Sequence, residues 1–245
     1  MPREMISFGA GVNSVAMAVM LVNNGWRGPI VFADTGGEHP ETYCYLEYFG
    51  RWLAERGMEI TVLSPATHPE LYDKRERATG TLEEFCLMRG IVPLLASRWC
   101  SQEWKQRALD KWRKAHDIPI TLQGICASEP RRIRDDPFVR YPLYEDDITR
   151  GECGRIIQRA GLQVPIKSGC FFCPGQRLAS WQRLYYDHPE LYERAALIED
   201  NAQRNGQKWA TLDPHGFTLR EHARRRWEGQ MEMDLSEWLP CACSL

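Results

Sequence analysis

Four short apolar runs, residues 5–7, 29–33, 59–63 and 118–124, alternate with longer stretches whose apolar residues recur at helical spacing, and this alternation leaves few folds open to the chain. Runs this short read as strands, whereas Val15, Ala16, Val19, Met20 and Val22 line one face of a helix that Asn24-Gly25 stops. Pro40 suits the first turn of a second helix over residues 40–56. Ser101 suits the cap of a third that runs to about His116. Strands alternating with helices predict a doubly wound, mainly parallel α/β sheet covered on both faces, with ligands at the carboxyl ends of its strands. From about residue 165 onward the pattern changes to helices rich in Arg, Trp and Tyr. The expected organisation is an α/β domain over residues 1–160 followed by a helical, cysteine-containing extension over residues 161–245, with no internal repeat.

Three unusual segments fall at those carboxyl ends. In Ser7-Phe8-Gly9-Ala10-Gly11-Val12-Asn13-Ser14, the small residues let backbone N–H groups approach an anion, and Asn13 and Ser14 open a helix whose positive end faces it. A plain strand–helix turn is the alternative. Asp34-Thr35-Gly36-Gly37 follows the second strand; Asp34 reads either as a turn residue or as a carboxylate placed for a ribose, a Mg²⁺ ion or the rim of an adenine. The polar stretch after Gly124 carries Glu129, Arg131 and Arg132. These arginines and Lys105 read either as solvated charges or as cations that neutralise phosphate oxygens. The convergence of the three segments predicts a nucleotide site.

A formal charge of −2 argues against a generally basic nucleic-acid coat, although Arg224-Arg225-Arg226 forms a local patch. No apolar stretch is long enough for a membrane span and no leader is expected, which points to the cytoplasm. Nine cysteines, an odd number, fit thiols, a metal site or redox chemistry better than a disulfide framework. Cys170 and Cys173 form a C-x-x-C pair, and Cys241 and Cys243 a looser pair near the C-terminus. The C-x-x-C spacing alone leaves zinc, a redox pair and part of an iron–sulfur cluster open. Trp181, Tyr185, Tyr186, Tyr192 and Trp209, interleaved with Arg177, Arg183, Arg194 and Arg204, read either as core or as a surface that stacks on nucleic-acid bases.

With these segments placed, the chain resembles the adenine nucleotide alpha-hydrolase superfamily, the ATP pyrophosphatases with a PP-loop, and within it the phosphoadenylylsulfate (PAPS) reductase-like branch. The loop Gly9-Ala10-Gly11-Val12-Asn13-Ser14 resembles S-G-G-x-D-S. Asp34-Thr35-Gly36 with Pro40-Glu41-Thr42 resembles D-T-G followed by P-E-T, and Arg98-Trp99-Cys100-Ser101 with Lys105 resembles R-C-C-x-x-x-K. Gly124-Ile125-Cys126-Ala127-Ser128-Glu129-Pro130-Arg131-Arg132 resembles G-I-R-x-x-E-S-x-R, and Gly169-Cys170-Phe171-Phe172-Cys173 the closing G-C-x-x-C. Departures are visible too. Gly9 stands in place of the first Ser, Asn13 in place of Asp and Cys126 in place of Arg. Leu239-Pro240-Cys241-Ala242-Cys243-Ser244 occupies the end where the reductases carry E-C-G-x-H.

The resemblance implies an ATP-dependent adenylating enzyme coupled to sulfur transfer. Ser7, Gly9 to Ser14, Asp34, Thr35, Gly36, Gly124 and Glu129 would hold the nucleotide, with Lys105, Arg132 and Asp34 in catalysis and Mg²⁺ on the phosphates. It implies a [4Fe–4S] cluster on Cys100, Cys170 and Cys173, with one iron open or a fourth ligand from Cys126, Cys153, Cys241 or Cys243; Zn²⁺ is the alternative metal. Implied partners are the adenine nucleotide, a sulfur donor, a nucleic-acid acceptor and a second copy of the chain. Two other readings stand beside this one: reduction of adenylyl sulfate or PAPS, with Cys241 or Cys243 as a tail nucleophile, and a catalytically silent nucleic-acid-binding subunit.

Overall fold

A computed structural model of the chain describes residues 3–72 and 80–228. Five parallel strands, β1 (Glu4–Phe8), β2 (Ile30–Ala33), β3 (Ile60–Leu63), β4 (Ile120–Gln123) and β5 (Val139–Arg140), form one sheet in the order β3-β2-β1-β4-β5. Ile6 pairs with Ile30, and Met5 with Thr121. The order reverses between β1 and β4, and in open α/β sheets the crevice at such a reversal is where ligands bind. Only the two-residue β5 was absent from the sequence reading, because two residues carry no periodicity.

Side chains alternate across the sheet and so divide the interior in two. Met5, Val31, Ala33 and Leu63 point to one core, Ile6, Phe8, Ile30 and Phe32 to the other. The second core is closed by α1 (Val12–Asn23), α2 (Pro40–Ala54) and α7 (Arg150–Arg159), with Phe8, Phe49 and Trp52 stacked at 5.2 and 5.4 Å between ring centres. The first core is closed by α3 (Leu82–Arg89), by α5 (Arg107–Ala115) with the turn before it, and by α8 (Leu178–Asp187) and α9 (Pro189–Arg204) of the C-terminal region. Among the described residues, α6 (Pro142–Glu145) and α10 (Leu219–His222) are two further short helices.

The third expected helix begins differently. Arg98 adopts a left-handed conformation (φ 48°), α4 (Trp99–Ser101) follows, and a π-helical turn over Gln102–Gln106 leads into α5. Ser101 is therefore inside the helical run instead of capping it. The π turn buries Trp104 in the core and turns Lys105 toward the loop after β2.

Among the described residues no helix is long and apolar enough to cross a membrane.

Candidate functional site

The loop between β1 and α1 is folded around one hydroxyl. Ser14 Oγ accepts from the backbone N–H groups of Gly9 (3.3 Å) and Gly11 (3.2 Å) and donates to the Gly11 carbonyl (3.0 Å). Gly11 caps α1 in an extended conformation, and no acidic residue belongs to the helix's own first turn. Ala10 is buried in the left-handed region (φ 51°), a conformation that costs a non-glycine residue about 1–2 kcal/mol. Gly124, just past β4, packs so closely that a Cβ there would lie 2.8 Å from the backbone N of Ser14. The two strand ends at the sheet's reversal thus meet over the start of α1.

Asn13, buried, joins a polar chain. Its Nδ2 donates to Glu129 Oε2 (2.7 Å), and its Oδ1 accepts from Arg150 Nη1 (2.8 Å). Glu129 Oε1 in turn accepts from Arg132 (2.6 Å), whose side chain is 53% exposed. Arg150 was not expected from the sequence, since it comes from the start of α7, 137 residues away. Beyond β2, Asp34 Oδ1 accepts from Gly36 N–H and from the Tyr43 hydroxyl, both at 2.8 Å, so that oxygen serves the turn. Burial, reinforced by Asp34, pushes the Tyr43 phenol above its ordinary range. Gly36 has φ +74°, and a Cβ there would meet Thr81 at 2.4 Å.

The same loop holds the cysteine segment. His39 N–H donates to the Gly169 carbonyl and Phe171 N–H to the Gly37 carbonyl, at 3.0 and 2.8 Å. Cys170 Sγ lies 3.2 Å from Thr35 Oγ1 and donates to Glu38 Oε1 at 3.6 Å, and that oxygen also receives Lys105 Nζ at 2.6 Å. Burial opposes the Lys105 charge, but Glu38 outweighs it and holds the ammonium protonated. Burial pushes the Cys170 thiol well up, with Glu38 adding to it, and burial followed by the Cys173 charge pushes Cys100 up.

Among the described residues no group of three or more His, Cys, Asp or Glu is arranged to hold a metal ion. Cys100, Cys170 and Cys173 share one region of the molecule, and they are not gathered into such a group. Cys126 and Cys153 are buried in the opposite core, which removes them as a fourth ligand. Cys241 and Cys243 lie outside the described residues. Asp34 Oδ1 is engaged in its turn, and the Glu129 carboxylate by Asn13 and Arg132.

A cavity of about 440 Å³ opens beside the cysteine segment, between the start of α2 and α8. Its polar lining includes His39, Glu41, Gln176, Arg183 and His188, none of which was singled out in the sequence for this purpose. Glu41 Oε1 accepts from Arg183 (3.0 Å) and His188 (3.2 Å). Burial works against the Glu41 charge, yet its backbone amide, His188 and Arg183 together hold the carboxyl below its usual range. Burial lowers His39, which keeps that ring neutral at pH 7. A signal did exist. The pentapeptide His-Pro-Glu-x-Tyr occurs at residues 39–43, 68–72 and 188–192, each time opening a helix with Pro in its first turn.

The aromatic stripe is core. Trp181 and Tyr192 are buried, Tyr185 and Tyr186 pack against them, and Arg183 and Arg194 are spent on Glu41 and Glu83. Trp209 alone stands out, 93% exposed. No row of rings faces solvent there to stack on bases.

The sequence pattern of the phosphoadenosine phosphosulfate reductase domain matches residues 3–141. An uncharacterised 37.8 kDa protein from the gpa 5′ region of Escherichia phage 186 is 25% identical over 179 residues, 59% of this chain and 52% of that protein. The uncharacterised nin region protein ORF290 of Escherichia phage lambda is 26% identical over 194 residues, 69% of this chain and 65% of that protein. The chain thus spans between about half and two thirds of the length of these relatives. A crystal structure of PAPS reductase from Candida auris, in complex with phosphate, superposes with a TM-score of 0.48 at 13% identity, covering 67% of this chain and 76% of that one.

Proposed function

The chain belongs to the phosphoadenosine phosphosulfate reductase domain family, and from that premise we propose that it binds an adenylyl nucleotide across the reversal between β1 and β4 and uses it in sulfur transfer. The observation that carries this reading is the open end of α1. Two strand ends deliver Gly9 to Gly11 and Gly124 to a helix start whose own first turn carries no acidic residue. Phosphates would displace Ser14 Oγ as acceptor for the Gly9 and Gly11 N–H groups, and Arg132 and Arg150 would neutralise charge from the side of Glu129. Mg²⁺ would enter on the nucleotide's own phosphates. In this reading an oxygen of the acceptor attacks the α-phosphorus of ATP and pyrophosphate leaves. Sulfur from a donor then displaces AMP. Cys170, oriented by Thr35 and able to pass its proton to Glu38 beside Lys105, is the group placed to handle that sulfur. No step is assigned to a cluster.

The family match favours a second reading, in which the nucleotide itself is adenylyl sulfate or PAPS: Cys170 as a thiolate attacks the sulfate sulfur, the nucleoside phosphate leaves, and a second thiol, from Cys173 or an added dithiol, then attacks the Cys170 sulfur and expels sulfite as a disulfide forms. Incubation with labelled ATP and labelled PAPS in separate reactions decides between them. Pyrophosphate and AMP support adenylation, whereas adenosine bisphosphate and sulfite support reduction. Neither nucleotide binding nor turning over would overturn both.

A further inference from the structure

We infer that Cys170 and Cys173 are a dithiol–disulfide couple in which half-buried Cys173 meets small external thiols and buried Cys170 meets the sulfur of the substrate. The turn that carries them supplies the geometry. Cys173 N–H donates to the Cys170 carbonyl at 3.0 Å, which makes the two cysteines the first and last residues of a hydrogen-bonded β-turn. Such a turn brings its end Cα atoms within about 7 Å, and disulfides span about 4.4–6.8 Å between Cα atoms. Both side chains are free thiols.

The turn is anchored. Its central residues, Phe171 and Phe172, are buried with their rings packed edge to face at 4.8 Å, and the hydrogen bonds from His39 to Gly169 and from Phe171 to Gly37 fix the backbone on either side of Cys170. A backbone so fixed leaves bond formation to rotation of the two side chains. The sulfurs differ in their surroundings. Cys170 Sγ donates to Glu38 Oε1, which also holds Lys105 Nζ, so a Cys170 thiolate expelled from the disulfide forms close to an ammonium. A thiol so stabilised as its anion is the better leaving group. Cys173 is the more open of the two, and both line the cavity of about 440 Å³, which is wide enough for a small thiol.

In the direction of reduction, an external thiolate attacks Cys173 Sγ and the bond to Cys170 breaks, leaving a mixed disulfide on Cys173 and a thiolate on Cys170 that takes up a proton. A second external thiolate displaces Cys173 from the mixed disulfide. Two small thiols become one disulfide, and the protein gains two electrons and two protons. In the direction of substrate, Cys173 is the second thiol of the PAPS reading: it attacks the Cys170 sulfur, sulfite leaves, and the pair closes. That role rests on the PAPS reading above; the couple itself does not.

Native protein equilibrated with oxidised and reduced glutathione, quenched in acid, unfolded and alkylated tests the couple, because one tryptic peptide, residues 168–177, carries both cysteines. As the oxidised fraction rises, that peptide is expected to change from doubly alkylated to unalkylated and lighter by a pair of hydrogens, and to change back when reduced glutathione is restored. Cys170→Ser should trap glutathione on Cys173 at least about tenfold more than Cys173→Ser traps it on Cys170. The parent protein's peptide decides whether the couple exists even where a variant fails to fold. A peptide alkylated twice throughout, a disulfide from Cys173 to Cys100 instead, or equal trapping on the two folded variants would overturn the assignment. Labelled PAPS given to reduced protein freed of added thiol reads the role separately. A single equivalent of sulfite per chain is expected as the peptide disulfide forms, and none from Cys173→Ser. Equal sulfite from Cys173→Ser would remove Cys173 from that step, whereas a reversible disulfide with no sulfite from the parent would keep the couple and remove the PAPS reading.

Discussion

Asn13 is kept an amide by the charges on either side of it. Its Nδ2 faces a carboxylate, Glu129, and its Oδ1 faces a guanidinium, Arg150, so both ends of the amide are matched. An aspartate would satisfy Arg150 but set a second carboxylate against Glu129. Asn13→Asp is expected to lower stability by about 1–3 kcal/mol at pH 8, the cost of breaking one buried hydrogen bond and adding like charge. The repulsion raises the folded-state pKa of the new pair, so the loss shrinks as the pH falls toward 5 and one carboxyl takes a proton. Urea denaturation at both pH values checks it, and a variant as stable as the parent at pH 8 refutes the account. Glu199 behaves in the opposite sense to most paired carboxylates. It is buried and accepts from Leu212 and Leu219 N–H at 2.6 and 2.7 Å, yet burial wins and pushes the carboxyl up to about 7 from 4.5. A raised folded-state pKa gives stability that is fully present below about pH 4.5 and lost as the pH climbs to about 7, about 3 kcal/mol over that span. Glu199→Gln should flatten that part of the stability profile, and thermal melts of both proteins from pH 4.5 to 8 would show it.

At the scale of elements, a strap of backbone hydrogen bonds between the loop after β2 and the cysteine segment brings the thiols to Glu38 and Lys105. Gly37 is where the strap is tightest, because a Cβ there would lie 2.6 Å from the Phe172 ring. Gly37→Ala is expected to cost about 1–3 kcal/mol as Phe172 shifts, the usual range for overpacking. The displaced segment should also expose Cys170, which alkylation followed by peptide mass spectrometry would register as at least about a tenfold faster modification of that residue. Unchanged Cys170 labelling in a destabilised variant would mean that the strap does not shield the thiol. The strap was not legible in the sequence, whereas the strands it joins were. β2 is apolar throughout because both its faces are covered, and such a run marks itself without knowledge of its neighbours. The small-residue loop before α1 and the turn at Asp34 were legible as segments at strand ends for a related reason, lying directly after such runs. Arg150, the Cys170–Glu38 contact and the cavity around Glu41 depend on side chains more than 100 residues apart meeting, and no local pattern records that. The three His-Pro-Glu-x-Tyr segments are intermediate. Their prolines announce helix starts, but only the fold shows that two of them, at His39 and His188, meet in the wall of one cavity, where Glu41 pairs with His188.

For the molecule as a whole, the decisive feature is how the two cores divide the chain. One face of the sheet is closed by α1, α2 and α7, all from the first 160 residues. The other face, carrying Met5, Val31 and Leu63, is closed in large part by Trp181, Leu184, Leu191 and Ile198 from α8 and α9. The helical C-terminal region therefore shares one core cluster with that sheet face, α3 and α5, and its loss is expected to leave part of that core in water. A unit that cannot cover its own sheet does not fold alone. Removing a large side chain from either side should then weaken the same cooperative unit. Trp181→Ala, fully buried under one face, and Phe49→Ala, fully buried in the stack under the other, are each expected to cost about 3–5 kcal/mol. In both variants the far-ultraviolet and near-ultraviolet signals should fall together on one urea curve, as a single cooperative transition requires. An early transition in Trp181→Ala that removes part of the helical signal and leaves the sheet folded would show instead that α8 and α9 are a separable layer. In that case the cysteine segment would have to be held in place by its strap to the loop after β2 alone.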